Sequence, residues 1–497
     1  MSDVDGYDRM EGWLRRTATR SRGDRLSKLA STLAVALLSR RERALPWWPV
    51  ERIVELQRRR VRSLVAHAAA NVPYYRTWFA ERGVDPGSIH SAQDLSRLPS
   101  IDGAMLAEDP MRFVSDRHLD RSAREVFKTS GSTAGLRKPI FWDHGSLLLR
   151  AARGDRDRVV IAGLAGERWT GVIAREFMTT EWRHTLGRWL GAETEGHQRL
   201  LILPADFSSR TQRTVYSERS LIPRRPVHYH HLPPSVPFPV AAAHLAAIRP
   251  RVVFSFGSYV DQFLHWLHAS PADAPLPKVW VYLGDRVSPG GRELAATLGC
   301  RLYSVYGAME AGTIGFQCER GEGFHLNVDL CAVRIVGEDG NDLPPGRTGD
   351  IVITPLDNRA MSLVNYRVGD RGALSLEPCA CGRTLPLLAT LDGRRSELLR
   401  LADGREVPSI ALEASFGAEL RRAVQAQIEQ TAPGRLVWRV VAYADDDRAA
   451  LAEALRARGR VVLGADTTLD VEFADRIALT GAGKFPRAIV AAPGGGR

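Results

Sequence analysis

The chain has 497 residues, of which 44% are hydrophobic and 25% charged. That length exceeds what one hydrophobic core fills, so two or more domains are expected, and the ordinary composition excludes fibrous and wholly disordered classes. The net charge is +11, with arginines interleaved with acids along the chain, which argues against a nucleic-acid partner. Only five basic residues are lysines (28, 128, 138, 278 and 484), against 63 arginines. A lysine inside a motif is therefore informative, because its compact charge is not interchangeable with a guanidinium. Five cysteines do not make a disulfide scaffold. No run of about 18 apolar residues predicts a membrane span, and with no export signal the expected location is cytoplasmic. The best apolar candidate, Leu29–Leu38, contains Ser31 and Thr32 and reads as an amphipathic or packed helix.

Residues 1–120 read as helical. Val50, Ile53, Leu56, Leu64, Val65 and Ala68 recur at helical spacing after Pro49, and Tyr75–Arg82 forms a second piece. The middle of the chain alternates strands (251–257, 279–285, 302–307) with helices (260–269, 291–298), the order of a parallel sheet with helices packed on it. From residue 324 the texture changes to an antiparallel β subdomain, with strands 329–336 and 350–354 and a turn-rich connector at 337–346. Residues 392–397 are polar and read as a hinge. A small α+β unit follows over 398–497, with helix 409–429, strand 436–444, helix 447–458 and strand 468–475. The fold class is thus α/β, with a large N-terminal domain over 1–391 and a small mobile C-terminal domain.

Four segments carry chemistry. Thr129-Ser130-Gly131-Ser132-Thr133-Ala134-Gly135-Leu136-Arg137-Lys138 crowds hydroxyls, glycines and a lysine into one loop between a strand at 126–128 and a helix at 143–152. Such a loop cradles phosphate through backbone N–H groups, although an ordinary surface loop has the same composition. It is not a P-loop, because Pro139 follows Lys138. At Tyr306-Gly307-Ala308-Met309-Glu310-Ala311-Gly312 a strand ends on an aromatic and a lone carboxylate, where parallel sheets collect ligands; a packed Tyr and a solvated Glu remain the alternative. Asp370, in Tyr366-Arg367-Val368-Gly369-Asp370, can accept both hydroxyls of a ribose. Lys484 sits in the glycine-rich loop Gly481-Ala482-Gly483-Lys484.

The order of these segments, with Leu391-Asp392-Gly393-Arg394-Arg395 between the last two, resembles the adenylate-forming superfamily. Val72-Pro73-Tyr74-Tyr75-Arg76, Asp94–Pro99, Gly323-Phe324-His325 and Cys379-Ala380-Cys381-Gly382-Arg383 look like its phenylacetate–CoA ligase-like branch, and Arg251–Tyr259 is similar to capsule-biosynthesis homologues within it. The resemblance covers residues 50–490. It implies a carboxylate that attacks the α-phosphate of MgATP, giving an acyl-adenylate and pyrophosphate, and a second nucleophile, commonly coenzyme A, that displaces AMP. It implies that Thr129, Ser130, Gly131, Ser132, Thr133, Gly135 and Lys138 hold phosphates. Glu310 would hold Mg²⁺, Tyr306 beside Gly307 would stack on adenine, and Gly284-Asp285 would contact the base. Asp370 and Arg394 would hold the ribose, and Lys484 would bridge carboxylate and α-phosphate and swing away about the 392–397 hinge.

The sequence departs from that pattern at Met309, where a phosphate-contacting Thr or Ser is usual, at Asp285 in place of Glu, and at Ser396 in place of an acid. By analogy Phe256, Gly257, Ser258, Tyr259, Ala308, Met309 and Gly312 line the acyl pocket, which suits an aryl or hydrophobic carboxylic acid. An amine or a carrier-protein thiol could replace coenzyme A as acceptor, a non-catalytic nucleotide-binding homologue is the third reading, and a homodimer is compatible with all of them. Cys318, His325, Cys379 and Cys381 make a Cys₃His set suited to structural Zn²⁺, although Cys-x-Cys is tighter than usual. His228-Tyr229-His230-His231 reads as a solvated loop ahead of Pro233-Pro234.

Overall fold

The computed structural model describes residues 3–20, 24–120, 124–128, 138–167, 199–203, 209–222, 229–270, 274–444, 446–464, 466–478, 480 and 485–490. Eleven strands hydrogen-bond into one mixed sheet. Its parallel part runs Tyr229–Leu232, Arg199–Ile202, Val252–Phe256, Val279–Leu283, Arg301–Ala308. The strands are short apolar runs because both faces are covered. In Val279–Leu283, Val279 and Val281 pack on one side with Leu148, Leu149 and Val160, while Trp280 and Tyr282 pack on the other with Phe263 and Leu264. The loop reading of 229–231 is therefore corrected: these residues form the edge strand, where none of the side chains is fully buried; His228 lies outside the described residues.

At Arg301–Ala308 the sheet changes character. Gly312–Phe316 turns back antiparallel, and Phe324–Leu326, Leu387–Arg394, Tyr366–Leu374, Gly349–Pro355 and Cys331–Val336 continue in antiparallel pairing. The antiparallel strands expected after residue 324 thus extend the parallel sheet directly. Strand 331–336 begins two residues later than expected, because Asp329 is buried in ion pairs with Arg60 and Arg156.

Those pairs belong to a network that ties the N-terminal helices to the rest. Helices α1 (Asp3–Arg20) and α2 (Arg25–Ala44) contribute Glu11 and Glu42. Glu11 pairs with Arg60 and Arg153, Glu42 with Arg156, and Arg153 also with Asp357 at 2.7 Å. Burial raises the Asp329 carboxyl, but the arginines outweigh it and hold it at about 2. Its contribution to stability is thus complete above the ordinary carboxylate range and is lost only as the pH falls through about 2.

The C-terminal residues form a four-stranded sheet, ordered 468–473, 435–442, 423–432, 488–490. Helix Arg448–Leu463 packs on strand 468–473, Gly459 against Leu469. The single helix expected over 409–429 is corrected. Helical turns cover Ser409–Ser415 and Gly417–Leu420, and Ala423–Ala432 is a strand. Val424-Gln425-Ala426-Gln427-Ile428-Glu429 alternates apolar and polar, a period-2 pattern masked by helix-favouring Ala, Gln and Glu, and Pro433-Gly434 turns it into a hairpin.

Candidate active site

A cavity of about 1580 Å³ opens between the C-terminal ends of the parallel strands and the C-terminal unit. Its walls include Gly284, Asp285, Tyr306, Gly307, Met309 and Glu310 from the sheet, Asp370 and Arg394 from the antiparallel strands, and Thr480 and Phe485 from the C-terminal segment. Phe256, Ser258, Tyr259, Ala308, Gly312 and Lys138 also line it. Gly257 does not. It starts helix Gly257–Ala269, and a Cβ there would lie 2.5 Å from the Asp285 carbonyl oxygen, so glycine lets the helix meet the next strand's loop. Thr129, Ser130, Gly131, Ser132, Thr133, Gly135 and Lys484 lie outside the described residues.

Two polar clusters face the cavity. In the first, Tyr366 donates its hydroxyl hydrogen to Glu310 Oε1 at 2.9 Å and accepts from Lys138 Nζ at 2.9 Å. Lys138 stands 3.9 Å from the same carboxylate oxygen. Burial, then the Glu310 charge, drives the Tyr366 phenol far above its ordinary value, so it stays a donor. Glu310 is itself buried, and Oε2 makes no hydrogen bond among the described residues, leaving it to take a cation. In the second cluster Tyr306 donates to Asp370 Oδ2 at 2.9 Å, while Arg394 Nε lies 3.8 Å from Oδ1. Burial raises the Asp370 carboxyl, and Arg394 and the Tyr306 bond only partly offset it. Such a carboxylate gains from donors that a ribose supplies.

Tyr366, Trp142 and Arg150 were not among the residues expected here, and the contacts of Ser258 with Asp285 and Phe485 were not foreseen. Tyr366 lies within a segment singled out for Asp370, but nothing in the sequence placed it against Glu310, 56 residues away. Ser258 satisfies Asp285 through its N–H at 3.0 Å and its hydroxyl at 2.6 Å, and its oxygen also accepts from the Phe485 N–H at 3.3 Å. Trp142 Nε1 donates to the Met309 carbonyl at 3.2 Å, and the Arg150 guanidinium stacks 4.1 Å over the Trp142 ring. Arg150 also covers Gly312, where a Cβ would overlap its guanidinium. It makes no ion pair among the described residues, and burial lowers its pKa.

The C-terminal unit is fastened across this mouth. Arg487 pairs with Asp261 of helix Gly257–Ala269 and, at 2.5 Å, with Glu413. Gln425 donates to Gln262 at 2.8 Å, and His265 bonds the Tyr443 hydroxyl.

A separate cluster forms where strand Gly312–Phe316 runs out. Cys318 Sγ lies 3.7 Å from Cys379 Sγ, and Cys381 Sγ lies 3.3 Å from His325 Nε2. All four ligand atoms fall within 4.8 Å of one another. Zinc bonds of about 2.3 Å to sulfur and 2.0 Å to nitrogen in a tetrahedron imply ligand separations of about 3.5–3.8 Å, so the donors fit that ion. Burial keeps His325 neutral, as a ligand must be, and its Nδ1 faces the Leu385 carbonyl at 3.4 Å. Burial works against ionising Cys381, but hydrogen bonds from Arg383 bring its thiol below the ordinary value. Cys331 sits apart, bonded to the Ala332 carbonyl in the core.

No family model matches the chain. The phenylacetate–coenzyme A ligase of Thermus thermophilus is 25% identical over 358 residues, covering 71% of this chain and 72% of that protein. The chain is thus similar in sequence to a phenylacetate–coenzyme A ligase and shares the fold of solved acyl-CoA ligases. A 2-hydroxyisobutyryl-CoA ligase solved in a postadenylation state with an acyl-AMP superposes with a TM-score of 0.66, at 16% identity, covering 90% of this chain and 91% of that one. The same ligase in an open conformation with acyl-AMP and CoA gives 0.52, at 16% identity, covering 88% and 91%. No helix among the described residues is long and apolar enough to cross a membrane.

Proposed function

We propose that this protein is an AMP-forming acid–CoA ligase. The observation that carries the reading is the convergence of the Lys138–Tyr366–Glu310 and Tyr306–Asp370–Arg394 clusters on one cavity, in a chain related to a phenylacetate–coenzyme A ligase. A carboxylate oxygen of the acid attacks the α-phosphorus of ATP, the bond to the bridging oxygen breaks, and pyrophosphate leaves. The thiolate of coenzyme A then attacks the acyl carbon, and AMP departs with its electron pair. Asp370 and Arg394 orient the ribose, and Lys138 stands beside the phosphates. Lys484 supports charge that builds between carboxylate and α-phosphate. Glu310 would hold Mg²⁺, which would supply charge neutralisation for the phosphates, and Tyr366 holds that carboxylate in one orientation.

Phe256 and Tyr259 make the acyl end aromatic, in keeping with an aryl or hydrophobic acid, while Arg150 favours one that carries an additional acceptor group. Cys318, His325, Cys379 and Cys381 would hold zinc in a structural role, since together they make a complete set of four protein donors. The five cysteines are free, which suits a reducing cytoplasm.

The test is ATP-dependent pyrophosphate release over a pooled panel of aryl, hydroxy and dicarboxylic acids, with hydroxylamine to trap an acyl-adenylate. Release with hydroxamate formation, and AMP release accelerated by coenzyme A, is expected. Acceleration by an amine or carrier protein instead would transfer the second step to that acceptor, and no pyrophosphate with any acid would overturn the reading. Tyr366→Phe keeps the ring and removes the bond to Glu310. It is expected to lower the adenylation rate about tenfold and raise the Mg²⁺ concentration needed for half-maximal rate; an unchanged Mg²⁺ dependence would remove Tyr366 from the site.

A further inference from the structure

Helix α2 carries apolar residues on two faces. Its inward residues include Ser31, Thr32, Ser39 and Glu42, all buried. Ser39 bonds Asp155, Glu42 pairs with Arg156, and Thr32 accepts the Leu221 N–H. Val35 and Leu38 pack into the core beside them, but four further leucines face out, with Leu26 77%, Leu29 45%, Leu33 56% and Leu37 56% exposed. At 100° per residue these four leucines fall within an arc of about 80° and run about 16 Å along the helix. Leu221, also exposed, adjoins them through its bond to Thr32. A contiguous apolar stripe of this kind marks a surface that something covers.

The charge around the stripe says what. Residues 24–43 hold five cations, Arg25, Lys28, Arg40, Arg41 and Arg43, and two acids, a net positive segment. Neither acid offsets the exposed face. Asp24 spends its carboxylate on the Leu26 and Ser27 N–H groups at the helix start, and Glu42 is buried with Arg156. Arg25 and Arg40 are exposed at the two ends of the stripe. A second copy packed on this face would bring like charges together, and a nucleic acid would leave the leucines in water. A surface with negative headgroups over an apolar layer satisfies both features.

We infer that α2 seats the protein on an anionic lipid surface, with Leu26, Leu29, Leu33 and Leu37 entering the headgroup–acyl boundary while Arg25 and Arg40 meet the headgroups. This inference does not depend on the reaction assigned above. The test is flotation of the full-length protein with vesicles of phosphatidylglycerol and phosphatidylcholine, against phosphatidylcholine alone, with light scattering on the free protein. Binding to the anionic vesicles only, weakened by salt, is expected, with a loss of about tenfold or more in Leu29→Glu/Leu33→Glu. Arg25→Gln/Arg40→Gln, which leaves the stripe intact, is expected to weaken binding to a lesser degree. Absence of wild-type binding, or equal binding by the leucine variant at an unchanged melting temperature, would overturn the inference. So would a wild-type dimer that the leucine variant turns into a monomer, because the stripe would then be a self-interface.

Discussion

Lys484→Ala is expected to cut pyrophosphate release by about a thousandfold while leaving ATP binding within a few-fold of wild type. That loss corresponds to about 4 kcal/mol of transition-state stabilisation, the scale at which a single preorganised donor acts on developing charge. The expectation rests on two features. Lys484 is one of only five lysines and sits in a glycine-rich loop. Its neighbour Phe485 lines the cavity and donates its N–H to Ser258, which also holds Asp285. Lys484→Arg should restore little, because a planar fork does not replace a compact ammonium between two oxyanions. Burst measurements of pyrophosphate, paired with equilibrium ATP binding, separate the two quantities, and normal release by Lys484→Ala would remove this lysine from the mechanism.

Cys381→Ser is expected to lower bound zinc from one per chain to a small fraction and to destabilise the protein by about 4 kcal/mol or more, as loss of a structural metal does. The cluster joins the Cys318 turn to the Cys379–Cys381 turn, and Thr384 just beyond bonds the carbonyls of Pro46 and Trp48. The effect should therefore spread to the end of α2. Elemental analysis and thermal unfolding with and without chelator check this. A metal-free wild-type protein with unchanged stability would end the zinc assignment.

What could be read from the sequence were residues whose chemistry sits in one short string. Glu310 in its small-residue turn and Asp370 after its glycine stand out from their neighbours, and both line the cavity. What could not be read depends on pairing across strands. Tyr366 begins strand Tyr366–Leu374, which shifts register against its partner between Asp350 and Val352. Periodicity does not say which residue of such a strand opposes Glu310. Arg150 was hidden among 63 arginines, and its distinction, stacking on Trp142 with no ion pair among the described residues, exists only in three dimensions. The strand at 423–432 was missed because helix-favouring residues fill a period-2 pattern, and the hairpin partner at 435–442 decided the outcome.

The buried arginines of the large domain set a limit on how the chain can be trimmed. Residues 1–49 precede the motifs that carry the resemblance and would be an obvious place to shorten an expression clone. Yet Arg60 and Arg153 draw on Glu11, and Arg156 draws on Glu42. A clone starting near residue 50 would leave these guanidiniums buried with half their counter-charge gone, a cost of several kcal/mol. The N-terminal helices are thus an integral part of the large domain's core, and surface point changes rather than deletions are the means to probe them.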